Sequence, residues 1–99
     1  MLNIVHHKQF IVKTCIDLRV RHLDLVGSAT RDDFQSERSD VDVLVEFDGS
    51  EKLFDRYFAL KQRLEQELGR RVDIIQDSAV KNPYVRESLN RDRVRIYGS

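Results

Sequence analysis

The chain has one cysteine, no net charge and no apolar run long enough to cross a bilayer. Cys15 alone cannot form an internal disulfide, which suits a reducing compartment, and a cytoplasmic location is expected. Seventeen Lys and Arg balance seventeen Asp and Glu. No overall field draws the protein to DNA, RNA or an anionic membrane, so no direct nucleic-acid or membrane role is expected. The longest apolar stretches fall well short of the roughly 20 residues that span a bilayer. The opening Met1-Leu2-Asn3-Ile4-Val5-His6-His7 lacks the charged start, apolar stretch and cleavage site of a secretory signal. Repeats, low-complexity stretches and interdomain linkers are absent too. What is there is 99 residues of ordinary globular composition, 40% hydrophobic and 34% charged. That composition predicts one small domain over 1–99 with a single modest core.

Periodicity predicts the elements. Ile11, Cys15 and Leu18, flanked by Val12 and Ile16, recur at helical spacing and predict a helix over about residues 6 to 21. Leu23-Asp24-Leu25-Val26 reads as a short strand ending at Gly27-Ser28. Residues 29 to 35 form a short helix or a loop, and a polar connection lasts to Ser39. Val41, Val43, Val45 and Phe47 alternate and share one face of a second strand. Asp48-Gly49-Ser50 breaks it, with Ser50 placed to cap the next helix. Leu53, Tyr57, Leu60, Leu64 and Leu68 mark that helix; Phe54 and Phe58 widen its apolar stripe, and Gly69 is placed to end it. Arg71 to Ile75 reads as a third strand. Pro83 suits the first turn of a last helix, about 83 to 91, and residues 93 to 97 are a short strand or a docked tail. The order suggests a small sheet covered by helices.

The chemistry lies in three carboxylates and a turn. Asp40 and Asp42 share the strand face opposite the valines. If the valine face packs on helices, the two carboxylates are left together. Like charges this close are costly unless something neutralises them, and Mg²⁺ typically combines one or two carboxylates with water and phosphate oxygens. Asp73, among Val72, Ile74 and Ile75, joins the pair if its strand is adjacent. Three carboxylates can hold two metals about 3.5–4 Å apart, the clamp of phosphoryl transfer. Gly27 lets a phosphate approach the backbone, Ser28 adds a hydroxyl donor, and free amides at a helix start bind anions. Arg31 could reach the same phosphates with its planar fork. Each signal alone has a blander and commoner explanation: a turn, a solvated strand end, a surface arginine. The conjunction within one short chain points to metal-dependent nucleotidyl transfer.

Gly27-Ser28 followed by Ser39-Asp40-Val41-Asp42-Val43-Leu44-Val45-Glu46-Phe47, with a later Arg71-Val72-Asp73, resembles the minimal nucleotidyltransferases (MNT proteins) of the DNA polymerase β-like superfamily. The resemblance covers most of the chain and extends more weakly to residues 83–88 and to Ile96-Tyr97. It implies an α+β fold with a mixed sheet flanked by helices. It further implies that Asp40, Asp42 and Asp73 bind two Mg²⁺ ions, with Asp73 helping to activate the acceptor hydroxyl. Gly27 and Ser28 would hold the β- and γ-phosphates of ATP, and Arg31 matches a basic residue common after the Gly-Ser. Asp32 stands where many relatives carry a glycine. Such proteins are often the antitoxin of a HEPN/MNT toxin–antitoxin system, transferring AMP to a tyrosine of the HEPN toxin; the partner implied is such a toxin.

Size adds an independent point. An acceptor needs a binding surface, and so small a chain has little room for one, so a second polypeptide or another copy is expected to present it. Tyr84, Arg86, Arg91, Arg93, Arg95 and Tyr97 are candidates for that interface, or else core and solvated residues. His6 and His7 have no spaced ligand partner and belong at the surface. His22 and Cys15 fit core or boundary positions, and Glu46 a structural one. Two other functions fit the same residues: a binding-only antitoxin with a vestigial nucleotide site, and transfer to a small molecule by a homodimer.

Overall fold

The computed structural model describes residues 2–31 and 40–98. The expectations for the connection at 32–39, Asp32 and Asp33 included, lie outside the described residues. The elements run α1 (Lys8–Asp17), β1 (Val20–Val26), a 3-10 turn (Gly27–Thr30), β2 (Val41–Phe47), α2 (Leu53–Leu68), β3 (Val72–Gln76), a second 3-10 turn (Asp77–Ala79), α3 (Pro83–Arg91) and β4 (Val94–Gly98). The strands form one sheet in the order β3-β2-β1-β4. β1 pairs antiparallel with both β2 and β4, and β2 pairs parallel with β3. Parallel neighbours need a crossover connection, and α2 supplies it. The sheet is therefore mixed, and the fold is α+β, as expected.

The valine face of β2 is the core. Val41, Val43, Val45 and Phe47 are buried together with Leu23 and Leu25 of β1, Val72 of β3, Ile11 and Cys15 of α1, and Leu60 and Leu64 of α2. Burial pushes the Cys15 thiol up to about 12, so it is a packing residue and not a nucleophile.

Several boundaries differ from the periodic reading, each for a local reason. α1 stops at Asp17, because the chain turns through Arg19 in the left-handed region (φ 57°) and enters a longer β1 at Val20. Ser50 does not cap α2; Lys52 occupies the N-cap with φ 50° and no side-chain cap bond. The turn is held instead by Arg56, which is buried. Its guanidinium donates to the carbonyls of Glu51 (2.9 Å), Leu18 (3.2 Å), Arg19 (3.3 Å), Asp48 (2.9 Å) and Gly49 (3.1 Å). One side chain thereby joins the α1–β1 and β2–α2 turns. Gly69 ends α2 as expected, with φ 66° and its N–H bonded to the Glu65 carbonyl.

Phe54 and Phe58 do not widen a buried stripe. They are 73% and 49% exposed, and their rings touch at 4.6 Å between centroids. α2 lies beside β3 and covers its edge with polar groups. Glu65 accepts from the Val72 N–H at 3.0 Å, Lys61 donates to the Val72 carbonyl, and the Tyr57 hydroxyl donates to the Ile74 carbonyl at 3.2 Å. An edge strand capped this way is closed to further pairing. The segment expected at 93–97 as a short strand or a docked tail is a strand, β4, over Val94–Gly98. Among the described residues, no helix is long and apolar enough to cross a membrane.

Candidate active site

The register of the sheet builds the site. Val26 of β1 pairs with Asp42 of β2, and Asp42 pairs with Asp73 of β3. Residues paired across adjacent strands about 4.8 Å apart share a face, so the two carboxylates stand side by side. Asp40 immediately precedes β2, two residues from Asp42, and its charge acts on Asp42. Val26 runs directly into Gly27, whose φ of +67° only glycine adopts readily. A Cβ there would lie 3.1 Å from Asp42 Oδ2. The turn and the carboxylates expected to share a site are thus brought together.

The turn itself is tied down. Thr30 Oγ1 donates to the Gly27 carbonyl at 2.8 Å, Arg31 N–H to the Ser28 carbonyl at 3.0 Å, and Leu2 N–H to the Ala29 carbonyl at 2.8 Å. Of the short helix or loop expected over 29 to 35, the start belongs to a four-residue 3-10 turn, Gly27–Thr30, and Ser28 sits in that short bend. Arg31 is exposed just beyond it, with Nη1 3.9 Å from Asp92 Oδ2.

Burial pushes the Asp42 carboxyl above its ordinary range. The negative charges of Asp73 and then Asp40 push the same way, and a hydrogen bond to Asp73 adds to it. This donor set suits a hard divalent cation, which would relieve the crowding with oxygen ligands alone. Among the described residues, no three His, Cys, Asp or Glu side chains are grouped so that together they could hold a metal ion, so Asp40, Asp42 and Asp73 do not stand as a preformed three-carboxylate site.

Farther along the same sheet face lies a network that periodicity did not reveal. Asp24, paired with Leu44 and two residues before Val26, is fully buried. Arg93 Nε and Arg95 Nε both donate to its carboxylate. Arg93 Nη2 also donates to Asp77 Oδ2 at 2.7 Å, and His22 Nε2 lies 2.8 Å from the same oxygen. Arg86 donates to the other Asp77 oxygen, and to the carbonyls of Asp77 (2.6 Å) and Val80 (3.2 Å). Burial alone would raise the Asp77 carboxyl, but the bonds from Arg86, His22 and Arg93 outweigh it and hold it at about 2. Three of the four arginines considered for an interface are therefore engaged within the chain. Arg91 is exposed, with Glu87 at 3.9 Å. The available signal was a lone acid in an apolar strand and two arginines alternating in the last one. Glu46 is structural, as expected: it accepts from Ser78 N–H at 2.8 Å and from Ser78 Oγ at 3.2 Å. His7 pairs with Glu67 at 2.7 Å.

A mixed sheet that places a glycine–serine turn against paired aspartates defines the nucleotidyl-transfer class of domain. Comparison with known proteins agrees. The profile of the nucleotidyltransferase domain family matches residues 8–97. Two proteins of Methanocaldococcus jannaschii, both provisionally named protein adenylyltransferases, are 38% and 35% identical. Each match covers 79% of this chain and 78% of the relative. A solved structure described as a provisional minimal nucleotidyltransferase superposes with a TM-score of 0.75 at 29% identity, over 90% of this chain and 88% of that one. A toxin–antitoxin crystal structure with AMP-PNP shares the fold at a TM-score of 0.69 and 18% identity, over 94% of this chain and 74% of that one. So does a tri-AMPylated Shewanella oneidensis HEPN toxin in complex with its MNT antitoxin, at 0.57 and 17%, over 93% and 73%. The chain belongs to the nucleotidyltransferase domain family, as a minimal member.

Proposed function

We propose that this protein is a Mg²⁺-dependent adenylyltransferase that moves AMP from ATP to a tyrosine hydroxyl of a HEPN-type partner, and so acts as an antitoxin. The observation that carries the reading is the placement of Gly27 so close to Asp42 that an added Cβ would crowd its carboxylate, with Asp42 itself paired with Asp73. In this reading Asp40, Asp42 and Asp73 hold the metal. Bound Mg²⁺ would neutralise phosphate charge and stabilise the attacking and leaving oxygens. Gly27 and Ser28 receive the β- and γ-phosphates, the glycine through its open backbone and the serine through its hydroxyl. Arg31 adds a guanidinium at the same turn. Asp73 accepts the proton of the acceptor hydroxyl as that oxygen attacks the α-phosphorus and pyrophosphate departs.

The named activity of the archaeal relatives supports the transfer of AMP to protein. The complexes that share the fold support a HEPN partner, which would supply the acceptor surface that so small a chain lacks. The test is incubation with labelled ATP, Mg²⁺ and a HEPN-type partner that binds this chain. Label on a toxin tyrosine is expected; a toxin that binds and stays unlabelled contradicts the reading.

A further inference from the structure

The chain carries one tyrosine placed as an acceptor in its own right. Its three tyrosines differ sharply. Tyr57 is half-buried, and its hydroxyl is spent on the Ile74 carbonyl. Tyr97 is half-buried on β4, paired with Leu23 and packed against the core. Tyr84 is 82% exposed, and among the described residues its hydroxyl has no hydrogen-bond partner. Its backbone is nonetheless fixed. It follows Pro83 in the first turn of α3 and donates its N–H to the Asn82 side chain at 2.9 Å. The start of α3 is in turn anchored by Arg86 on Asp77 and on the Val80 carbonyl. A phenol projecting from a fixed backbone needs little ordering to enter another molecule's site.

From these placements, and resting on the proposed transfer of AMP to tyrosine, we infer that Tyr84 is a site of self-modification, adenylylated by a second copy of the same chain. Within one molecule the start of α3 is held at the far end of β3, because Arg86 binds Asp77. Tyr84 follows the end of β3 opposite Asp73, and the four residues from Asp73 to Asp77 alone span about 13 Å. In trans, the Tyr84 oxygen attacks the α-phosphorus of ATP held by the other copy. The new bond joins that oxygen to phosphorus, the bond from the α-phosphorus to the bridging oxygen of pyrophosphate breaks, and pyrophosphate leaves with the electron pair. The phenolic proton passes to the donor copy's Asp73.

The test mixes two full-length variants with labelled ATP and Mg²⁺, and includes the HEPN-type partner as a second acceptor. The Asp42→Ala chain can only receive AMP, and the Tyr84→Phe chain can only donate it. The Asp42→Ala chain is expected to gain the mass of one AMP on Tyr84 when the Tyr84→Phe chain is present, and none when alone. The Tyr84→Phe chain should stay at background while still labelling the partner. A labelled partner with neither chain labelled overturns the self-modification and leaves the proposed function standing. Label that persists on the Tyr84→Phe chain overturns it as well, and absence of label on every protein overturns both.

Discussion

At the scale of single residues, the site is a compromise between folding and chemistry. Asp42 is crowded by Asp73 and Asp40 and partly desolvated, so its charge works against the fold. Asp42→Asn should therefore raise the melting temperature measured without metal, and abolish any rise that Mg²⁺ produces in the parent chain. A lower melting temperature without metal would show that the crowding is not destabilising. Gly27→Ala should act oppositely, because it forces a Cβ into the left-handed region and toward Asp42. A stability loss of about 1–2 kcal/mol in a denaturant titration is expected, together with loss of transfer. These residues were legible in the sequence because their signals are local: a glycine–serine pair, an aspartate alternation, and an acid in an apolar strand. Asp24 was read only as part of its strand, because its partners Arg93 and Arg95 are remote in sequence and meet it only once β4 pairs with β1.

At the scale of elements, polar side chains fasten the turns and the sheet face. Arg56 holds two turns through five carbonyls, and lysine cannot reproduce that planar fork. Arg56→Lys should cost about 3 kcal/mol, read as a shifted midpoint of chemical denaturation, since buried carbonyls lose their donors. Asp77 ties β3 and α3 to β4, and its carboxyl is held at about 2 against an ordinary 3.8. A depressed carboxylate stabilises the fold above its unfolded value and loses that contribution as pH falls through its folded value. Stability should accordingly drop between about pH 4 and pH 2 by on the order of 2 kcal/mol. Asp77→Asn should flatten that part of the pH profile. Strand β2, helix α2 and helix α3 were readable from periodicity and from Gly69 and Pro83. The width of α2's buried stripe was not. Phe54 and Phe58 lie on the helical period, but α2 sits beside β3, where little remains to cover them.

At the scale of the whole molecule, a neutral chain of 99 residues spends its core on positioning one acidic site beside one turn. In the proposed transfer the acceptor hydroxyl belongs to a HEPN-type partner. A sterically acting antitoxin with the same fold would protect cells equally well after loss of Asp40 and Asp42, whereas a transferase would not. The most direct measurement is the intact mass of the HEPN-type partner after incubation with ATP, Mg²⁺ and either the parent chain or the Asp40→Ala, Asp42→Ala double variant, with complex formation verified for both. The transfer account predicts added AMP on the partner with the parent chain and an unchanged mass with the variant. An unchanged partner mass with the parent chain, in a complex that forms, would contradict it.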